Sequence, residues 1–454
     1  MDHNRNIESS HPVAAPAPVT LAQAFRYWLR LGLISFGGPA GQIAIMHHEL
    51  VEQKRWISEN RFLHALNYCM VLPGPEAQQL ATYLGWLMHR TWGGILAGGL
   101  FVLPSFFILV ALAWVYMAYG NVPAVAGMLY GMKPAVVAIV LFACYRIGAR
   151  TLVNRLLWGI ALFAFIAIFV IELPFPFVVL TAGLTGFVGG KFSPAQFRTR
   201  GNQASAALPA SGPALFDDDT PTPPHARFSW ARLVRVASAG VAIWLGTMAA
   251  LVAGYGWDNT FTQMGWFFTK AALLTFGGAY AVLPYVYQGA VEHYHWLTAA
   301  QMIDGLALGE TTPGPLIMVV TFVGFVGGWV QHVSGAEAPF AAAVLAATVV
   351  TFFTFLPSFI FIFLGGPFIE TTHGNLKFTA PLTAITAAVV GVIASLAAFF
   401  AWHVFWPRGI AGPVEWPAVV LAAAGLLALF RFRAGMIPVI FASGAMGMAW
   451  RLLA

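Results

Sequence analysis

The chain has 454 residues, 59% of them hydrophobic and 9% charged, where a soluble globular domain carries roughly 25% charged residues. Apolar runs of about 20 residues, the length that crosses a bilayer, recur throughout, so the chain is expected to be an all-α integral membrane protein. Its net charge of +6 lies mostly beside apolar segments, where the positive-inside rule accounts for it; it points to the lipid bilayer as a partner and not to nucleic acid.

Residues 1–20 mix Asp2, Arg5 and Glu8 with Pro and Ala and hold no apolar signal-peptide core, so a disordered N-terminal tail is expected. A first membrane repeat follows over 21–190, with helices read at 21–46, 58–89, 93–119, 122–146, 154–171 and 174–190. Residues 191–229 hold Pro194, Pro213, Pro221, Pro223, Pro224 and the run Asp217-Asp218-Asp219. They read as a flexible cytoplasmic linker, because such a composition buries too little to pack. The second membrane repeat, 230–454, opens with one extra helix at 232–254. It continues with 260–288, 298–330, 339–365, 379–402, 416–430 and 434–451. The total is about thirteen membrane segments. Cys69 and Cys144 fall in apolar segments with no metal-ligand spacing.

The two halves are copies. A shift of 240 residues lays Ser35-Phe36-Gly37-Gly38 on Thr275-Phe276-Gly277-Gly278, Trp56 on Trp296, and Pro73-Gly74-Pro75 on Pro313-Gly314-Pro315. After a slip of 13 residues, Leu103-Pro104-Ser105-Phe106 meets Leu356-Pro357-Ser358-Phe359. Duplicated membrane units that keep their helix breakers are a mark of secondary transporters. Arg26, Arg30, Arg90, Arg146, Arg150, Arg155 and the basic residues of the linker mark one side of the membrane as inside. The extra helix then starts the second copy on the opposite side, so two inverted-topology repeats are expected.

The glycines and prolines at Gly37, Gly38, Pro39, Pro73, Gly74 and Pro75, and at Gly277, Gly278, Pro313, Gly314 and Pro315, break helices inside the membrane. Lipid cannot satisfy the freed backbone groups, so such breaks are buried in protein or line a wet cavity. Half-helix N-termini there offer N–H groups and a positive dipole end to an anion; kinks used only for packing are the plainer alternative. Polar residues near the breaks are few: Ser35 and Thr275, Gln78 and Gln79, Thr311 and Thr312, and the carboxylates Glu76 and Glu310. A carboxylate in a membrane segment is costly; these two either take up protons in a coupling step or hold the broken helices. Arg30 and Lys270 are equivalent under the 240-residue shift, which suits an anion pathway, with snorkelling to the interface as the alternative. Lys133 is a further cation, without a repeat partner. His47-His48-Glu49 lacks the second histidine of a zincin, Glu292-His293-Tyr294-His295 reads as an interfacial loop, and no P-loop is present. No metal, cofactor or catalytic residue is assigned.

Ser35-Phe36-Gly37-Gly38-Pro39, Leu72-Pro73-Gly74-Pro75-Glu76-Ala77-Gln78-Gln79-Leu80-Ala81, Gly85-Trp86 and Gly309-Glu310-Thr311-Thr312-Pro313-Gly314-Pro315 resemble the chromate ion transporter family in its long two-domain bacterial form. The second copy departs from it at Ala279, which stands where the first has Pro39. The resemblance implies export of chromate, with sulfate as a related tetrahedral dianion, across the bacterial inner membrane, and hence chromate resistance. Residues alone leave open another anion transporter or channel, a homodimer, and, more remotely, a membrane enzyme using Glu76 or Glu310.

Overall fold

A computed structural model of the chain describes residues 16–36, 38–197, 214–331, 339–371, 379–409 and 412–453. Most of the expected N-terminal tail, residues 198–213 of the linker, and Gly37 lie outside the described residues. The first copy comprises α1 (Leu21–Ile34), α2 (Gly38–His47), α3 (Glu59–Val71), α4 (Glu76–Tyr119), α5 (Pro123–Thr151), α6 (Arg155–Phe169) and α7 (Phe175–Phe192). The extra helix is α8 (Trp230–Tyr255). The second copy comprises α9 (Thr260–Leu273), α10 (Ala279–Tyr287), α11 (Ala299–Glu310), α12 (Val319–Val330), α13 (Pro339–Thr371), α14 (Thr379–Phe405), α15 (Trp416–Arg431) and α16 (Met436–Leu453). Among the described residues seven helices are long and apolar enough to cross a bilayer: α4, α5, α7, α8, α13, α14 and α16. The chain is an all-α, multi-pass membrane protein.

The segment boundaries differ from those read in the sequence. The segments 21–46, 58–89, 260–288 and 298–330 are each two helices, parted at the Gly/Pro motifs. Gly38, Gly74, Gly277, Gly278 and Gly314 all have positive φ, which a continuing helix does not allow. α4 leaves helical geometry at His89 and Arg90, where the sequence reading parts 58–89 from 93–119. A straight helix of this length would run roughly 66 Å, about twice the hydrocarbon thickness. It folds back instead. Gly85 faces the carbonyl of Gly93 and Ala97, and Gly98 faces Gln78 and Thr82, so the arms 76–88 and 91–119 lie antiparallel. Small residues allow this close approach.

Equivalent positions repeat the same local devices. A π turn follows α2 at His48–Gln53 and α10 at Gln288–His293. Trp56 N–H then donates to Leu50 O at 2.8 Å and Trp296 N–H to Ala290 O at 2.7 Å. Ser58 caps α3 through Arg61 N–H, and Thr298 caps α11 through Gln301 N–H.

Packing is exchanged between the copies. α15 and α16 pack on α5, while their counterparts α6 and α7 pack on α14. Glycines let these helices meet: Ser443 Oγ donates to Gly131 O at 2.6 Å on α5, and Gly186 of α7 lies against Ala380 and Ala384 of α14. The long arm of α4 and its counterpart α13 run antiparallel, with Trp114 against Phe340 at 6.3 Å, Gly98 against Phe359 and Gly94 against Phe363.

The linker expected to be flexible is tied down over 214–229. Leu215 N–H donates to Arg55 O at 2.9 Å and Phe216 N–H to Trp56 O at 3.1 Å. Asp218 accepts from Ser58 at 2.5 Å and Asn60 at 2.6 Å, and Arg61 donates to Thr220 O at 2.6 Å. Phe216 packs into the core of the first copy, so one apolar anchor and several polar ones outweigh the Pro-rich composition here. Cys69 and Cys144 are free thiols.

Candidate functional site

The four helix breaks come together in pairs that cross between the copies. Gly74 N–H donates to Thr275 O at 2.7 Å, and Gly314 N–H donates to Ser35 O at 2.8 Å. Each Pro-Gly-Pro of one copy is thus seated on the Ser/Thr-Phe-Gly-Gly break of the other. The turn after α1 and that after α9 have one shape, with Phe36 N–H on Ile34 O at 3.0 Å and Phe276 N–H on Leu274 O at 3.1 Å. A backbone group freed in the membrane has to find a partner within the protein, and here the two copies supply it to each other. The N–H groups of Gly74 and Gly314, considered from sequence as anion donors, are committed to this pairing.

Two serines on the long arms complete the exchange. Ser358 of α13 faces Gly74, and Ser105 of α4 faces Gly314. Ser358 Oγ also lies 3.5 Å from Gln79 Nε2, and Ser105 Oγ 3.5 Å from Thr312 Oγ1. Both serines are buried. They sit in the duplicated Leu-Pro-Ser-Phe, visible in the sequence as a repeat match but not singled out there as polar groups in membrane helices.

Three glutamines add amides. Gln42 of α2 donates through Nε2 to Ser35 O at 3.2 Å and Gly314 O at 2.5 Å, bracing the crossed pair. Gln79 Nε2 donates to Pro73 O at 2.7 Å and Gln78 Nε2 to Thr82 Oγ1 at 3.0 Å. Carbonyl partners fix the amide orientation of Gln42 and Gln79. Oε1 of all three glutamines, and Ser35 Oγ, are buried without a protein partner. Buried polar atoms take hydrogen bonds, so the three amide oxygens, which only accept, are open to a hydration water, and the Ser35 hydroxyl can also donate to a ligand. Gln42 was not anticipated, because position 282, its counterpart, is Val and the repeat carries no signal there.

The remaining candidates fall around this centre. Pro75 caps α4 and Gly278 caps α10, neither with a side-chain hydrogen bond, so both helices present first-turn N–H groups. Pro315 stands before the short 3-10 turn Leu316–Met318 that leads into α12, and Pro39 lies in the first turn of α2. Pro313 precedes Gly314. Thr275, Thr311 and Thr312 hydroxyls donate to Ala271, Leu308 and Gly309 carbonyls of their own helices, which leaves their lone pairs available. Gly277 lies 3.8 Å from Thr386 as a Cβ would see it. Glu76 opens α4 and is half-buried. Glu310 accepts from the Tyr280 hydroxyl, with Arg146 near enough to act on both electrostatically. A second buried pair of this kind, Tyr83 with Glu370, was not foreseen.

Arg30 and Lys270 each make a contact outside the crossed pair. The Arg30 side chain is 67% exposed and lies 4.0 Å from Glu49. Lys270 Nζ lies 5.6 Å from the Trp266 ring centroid. The crossed pair itself is an assembly of hydroxyls, amides and helix ends, with the carboxylates Glu76 and Glu310 beside it.

Sequence comparison adds to this geometry. The profile of the chromate transporter family matches residues 22–187 and 262–448. The chain belongs to the chromate transporter family. It is 31% identical over 429 residues to the chromate transport protein of Cupriavidus metallidurans, covering 94% of this chain and 92% of that protein. With the chromate transport protein of Pseudomonas aeruginosa it shares 34% identity, over 84% of this chain and 81% of the relative. With a probable chromate transport protein of Synechococcus elongatus it shares 30%, over 83% of each. No solved structure matches the chain. The two stretches matched by the chromate transporter profile each contain one FGG break and one PGP break.

Proposed function

We propose that the protein exports chromate from the bacterial cytoplasm across the inner membrane, accepts sulfate as a competing tetrahedral dianion, and so gives chromate resistance. The observation that carries the proposal is the crossed pair Gly74–Thr275 and Gly314–Ser35, which gathers Ser35, Gln42, Gln78, Gln79, Ser105, Thr312 and Ser358 and the uncapped helix starts at one place in an apolar protein. Hydroxyl and N–H donors stabilise a dianion that has shed water, and the carboxylates Glu76 and Glu310 nearby keep it from being trapped. The chromate transport proteins among the relatives support chromate as the solute.

The two copies are taken to be inverted repeats. A two-fold axis along the membrane normal leaves equivalent helices parallel, whereas an axis in the membrane plane turns them over. The antiparallel packing of the equivalent arms, 91–119 of α4 and α13, supports the second. Alternating access then consists of the two bundles rocking about the crossed breaks.

Everted vesicles from cells expressing the protein test the direction and the solute. Labelled chromate should accumulate, excess unlabelled sulfate should reduce the accumulation, and collapse of the membrane potential should slow it. Accumulation of another oxyanion without chromate would redirect the assignment to that solute. Non-saturable flux would mean a channel.

A further inference from the structure

Outside the crossed breaks the structure holds a cavity of about 450 Å³, lined by the end of α4, the first half of α5, α11 and the end of α16. Three charged side chains line it, namely Lys133, Asp304 and Arg451. Lys133 Nζ is 3.3 Å from Asp304 Oδ2, longer than the 2.7–2.9 Å of a tight charged hydrogen bond. The same Oδ2 accepts from the Tyr116 hydroxyl at 3.1 Å. Asp304 is buried, with 5% of its side chain exposed, and its Oδ1 has no partner. An ammonium has three donors, so this single loose contact leaves Lys133 able to bind something else. The Arg451 guanidinium lies over the Tyr130 ring at 4.8 Å, while the Tyr130 hydroxyl donates to Glu415 at 3.2 Å. The cation–π contact holds the guanidinium at the ring and leaves N–H donors for a ligand.

We infer that this cavity is a second oxyanion site, a vestibule in which a tetrahedral anion sits between Lys133 and Arg451 while Asp304 competes for Lys133. The proposal extends the transport reading given above. The lining carries two cations and one carboxylate, with Glu415 tied to the Tyr130 hydroxyl beside it, and low-dielectric walls focus the field of the two cations on an incoming anion. Asp304 limits the affinity, so the anion is concentrated but not held. The place in the fold fits: Asp304 lies on α11, six residues or roughly 9 Å before Glu310 and the second Pro-Gly-Pro break, so the vestibule adjoins the path to the crossed breaks. In the sequence Lys133 stood out as a membrane cation without a repeat partner; its partner is an acid from the other copy.

The test uses the full-length protein with Cys69 and Cys144 replaced by Ala and with Asn121→Cys, an exposed position lining the cavity, as a reporter. The probe is the rate of modification by a negatively charged methanethiosulfonate, with sulfate as the ligand because it does not oxidise thiols. Sulfate should slow the reaction in a saturable way. Lys133→Gln should raise the sulfate concentration needed for protection, and Asp304→Asn should lower it, each by roughly three- to tenfold. The double variant, in which neither charge is left unpaired, guards against misfolding of either single one and should behave like Lys133→Gln. Absence of protection by sulfate, or protection unchanged in all three variants, overturns the proposal. Chromate flux in vesicles carrying the same proteins separates the two levels: protection without flux defeats the transport reading alone, and flux without protection defeats the vestibule alone.

Discussion

The amide of Gly74 reaches the carbonyl of Thr275 across 2.7 Å, and 240 residues on the same bond runs the other way, from Gly314 to Ser35 at 2.8 Å. Each copy therefore lacks the partner for its own break and finds it in the other. In this structure the broken helices of each half are closed by the other half.

Gln42 is expected to be structural as well as polar. Its Nε2 serves two buried carbonyls, Ser35 O and Gly314 O. Gln42→Leu keeps the volume and leaves both acceptors unpaired, at a cost of about 1–3 kcal/mol. A lower thermal midpoint in detergent, with reduced flux at unchanged membrane insertion, is the expected result. Gln42→Glu, which keeps the shape without the donors, should not restore it.

Arg30 lies beside Glu49 and Lys270 over Trp266. Arg30→Gln and Lys270→Gln are each expected to change the half-saturating chromate concentration by less than about threefold, as for partly exposed charges. Concentration dependence of flux in proteoliposomes measures it. A tenfold loss in either variant would return that cation to the transport path.

Moving a dianion outward through 100 mV releases about 4.6 kcal/mol, from roughly 2.3 kcal/mol per charge, enough for about a 2,000-fold gradient. Proton coupling is therefore not demanded by energetics, and the carboxylates decide it. Glu310→Gln weakens the contact with Tyr280 and removes a titrating group, and Glu76→Gln removes the other. If either titrates in the cycle, its variant flattens the pH dependence of flux at fixed potential, and this is the expected outcome. Wild-type flux indifferent to an imposed pH gradient assigns both to holding the helices.

The linker strap should loosen in acid. His225 Nε2 donates to Trp86 O at 3.0 Å, and burial, helped by the nearby Arg90 and Arg232, holds the imidazole below its usual range. The docked form thus favours neutral histidine. As pH falls through about 6.5, the undocked strap takes up a proton that the docked one does not, so docking weakens until the lower docked value is passed. Protection of the amides over residues 214–229, taken relative to the intrinsic exchange rate at each pH, should fall between pH 7.5 and roughly pH 5.5, and the fall should shrink in His225→Gln.

The membrane class, the duplication and the positions of all four breaks were legible in the residues, because a Gly/Pro motif repeated at a fixed offset is a local signal. How the breaks pair was not. Gly74 and Thr275 are far apart in sequence, and each motif looks complete when read by itself. The turn at His89–Arg90 had a local signal in Arg90, a charge between two apolar runs. Ser105 and Ser358 were visible as a repeat match, but hydroxyls in helices are common enough to pass unnoticed. Asp304 stands near Lys133 only because α11 packs on α5, a tertiary fact with no periodic trace.

The most direct test of the central claim is saturable flux of labelled chromate into proteoliposomes for Gly74→Val and Gly314→Val beside Gly99→Ala. A Cβ at Gly74 meets Ser358 and Gln79, and one at Gly314 meets Ser105 at 3.0 Å, both at positive φ, whereas at Gly99 it meets open space. The account predicts that both valine variants insert in the membrane and lose at least about 90% of flux, the strain and overlap together costing more than the 1.4 kcal/mol of a tenfold effect. Gly99→Ala should transport as the wild type does, with sulfate competing. Near-normal flux in both valine variants would contradict a transport site built on the crossed breaks.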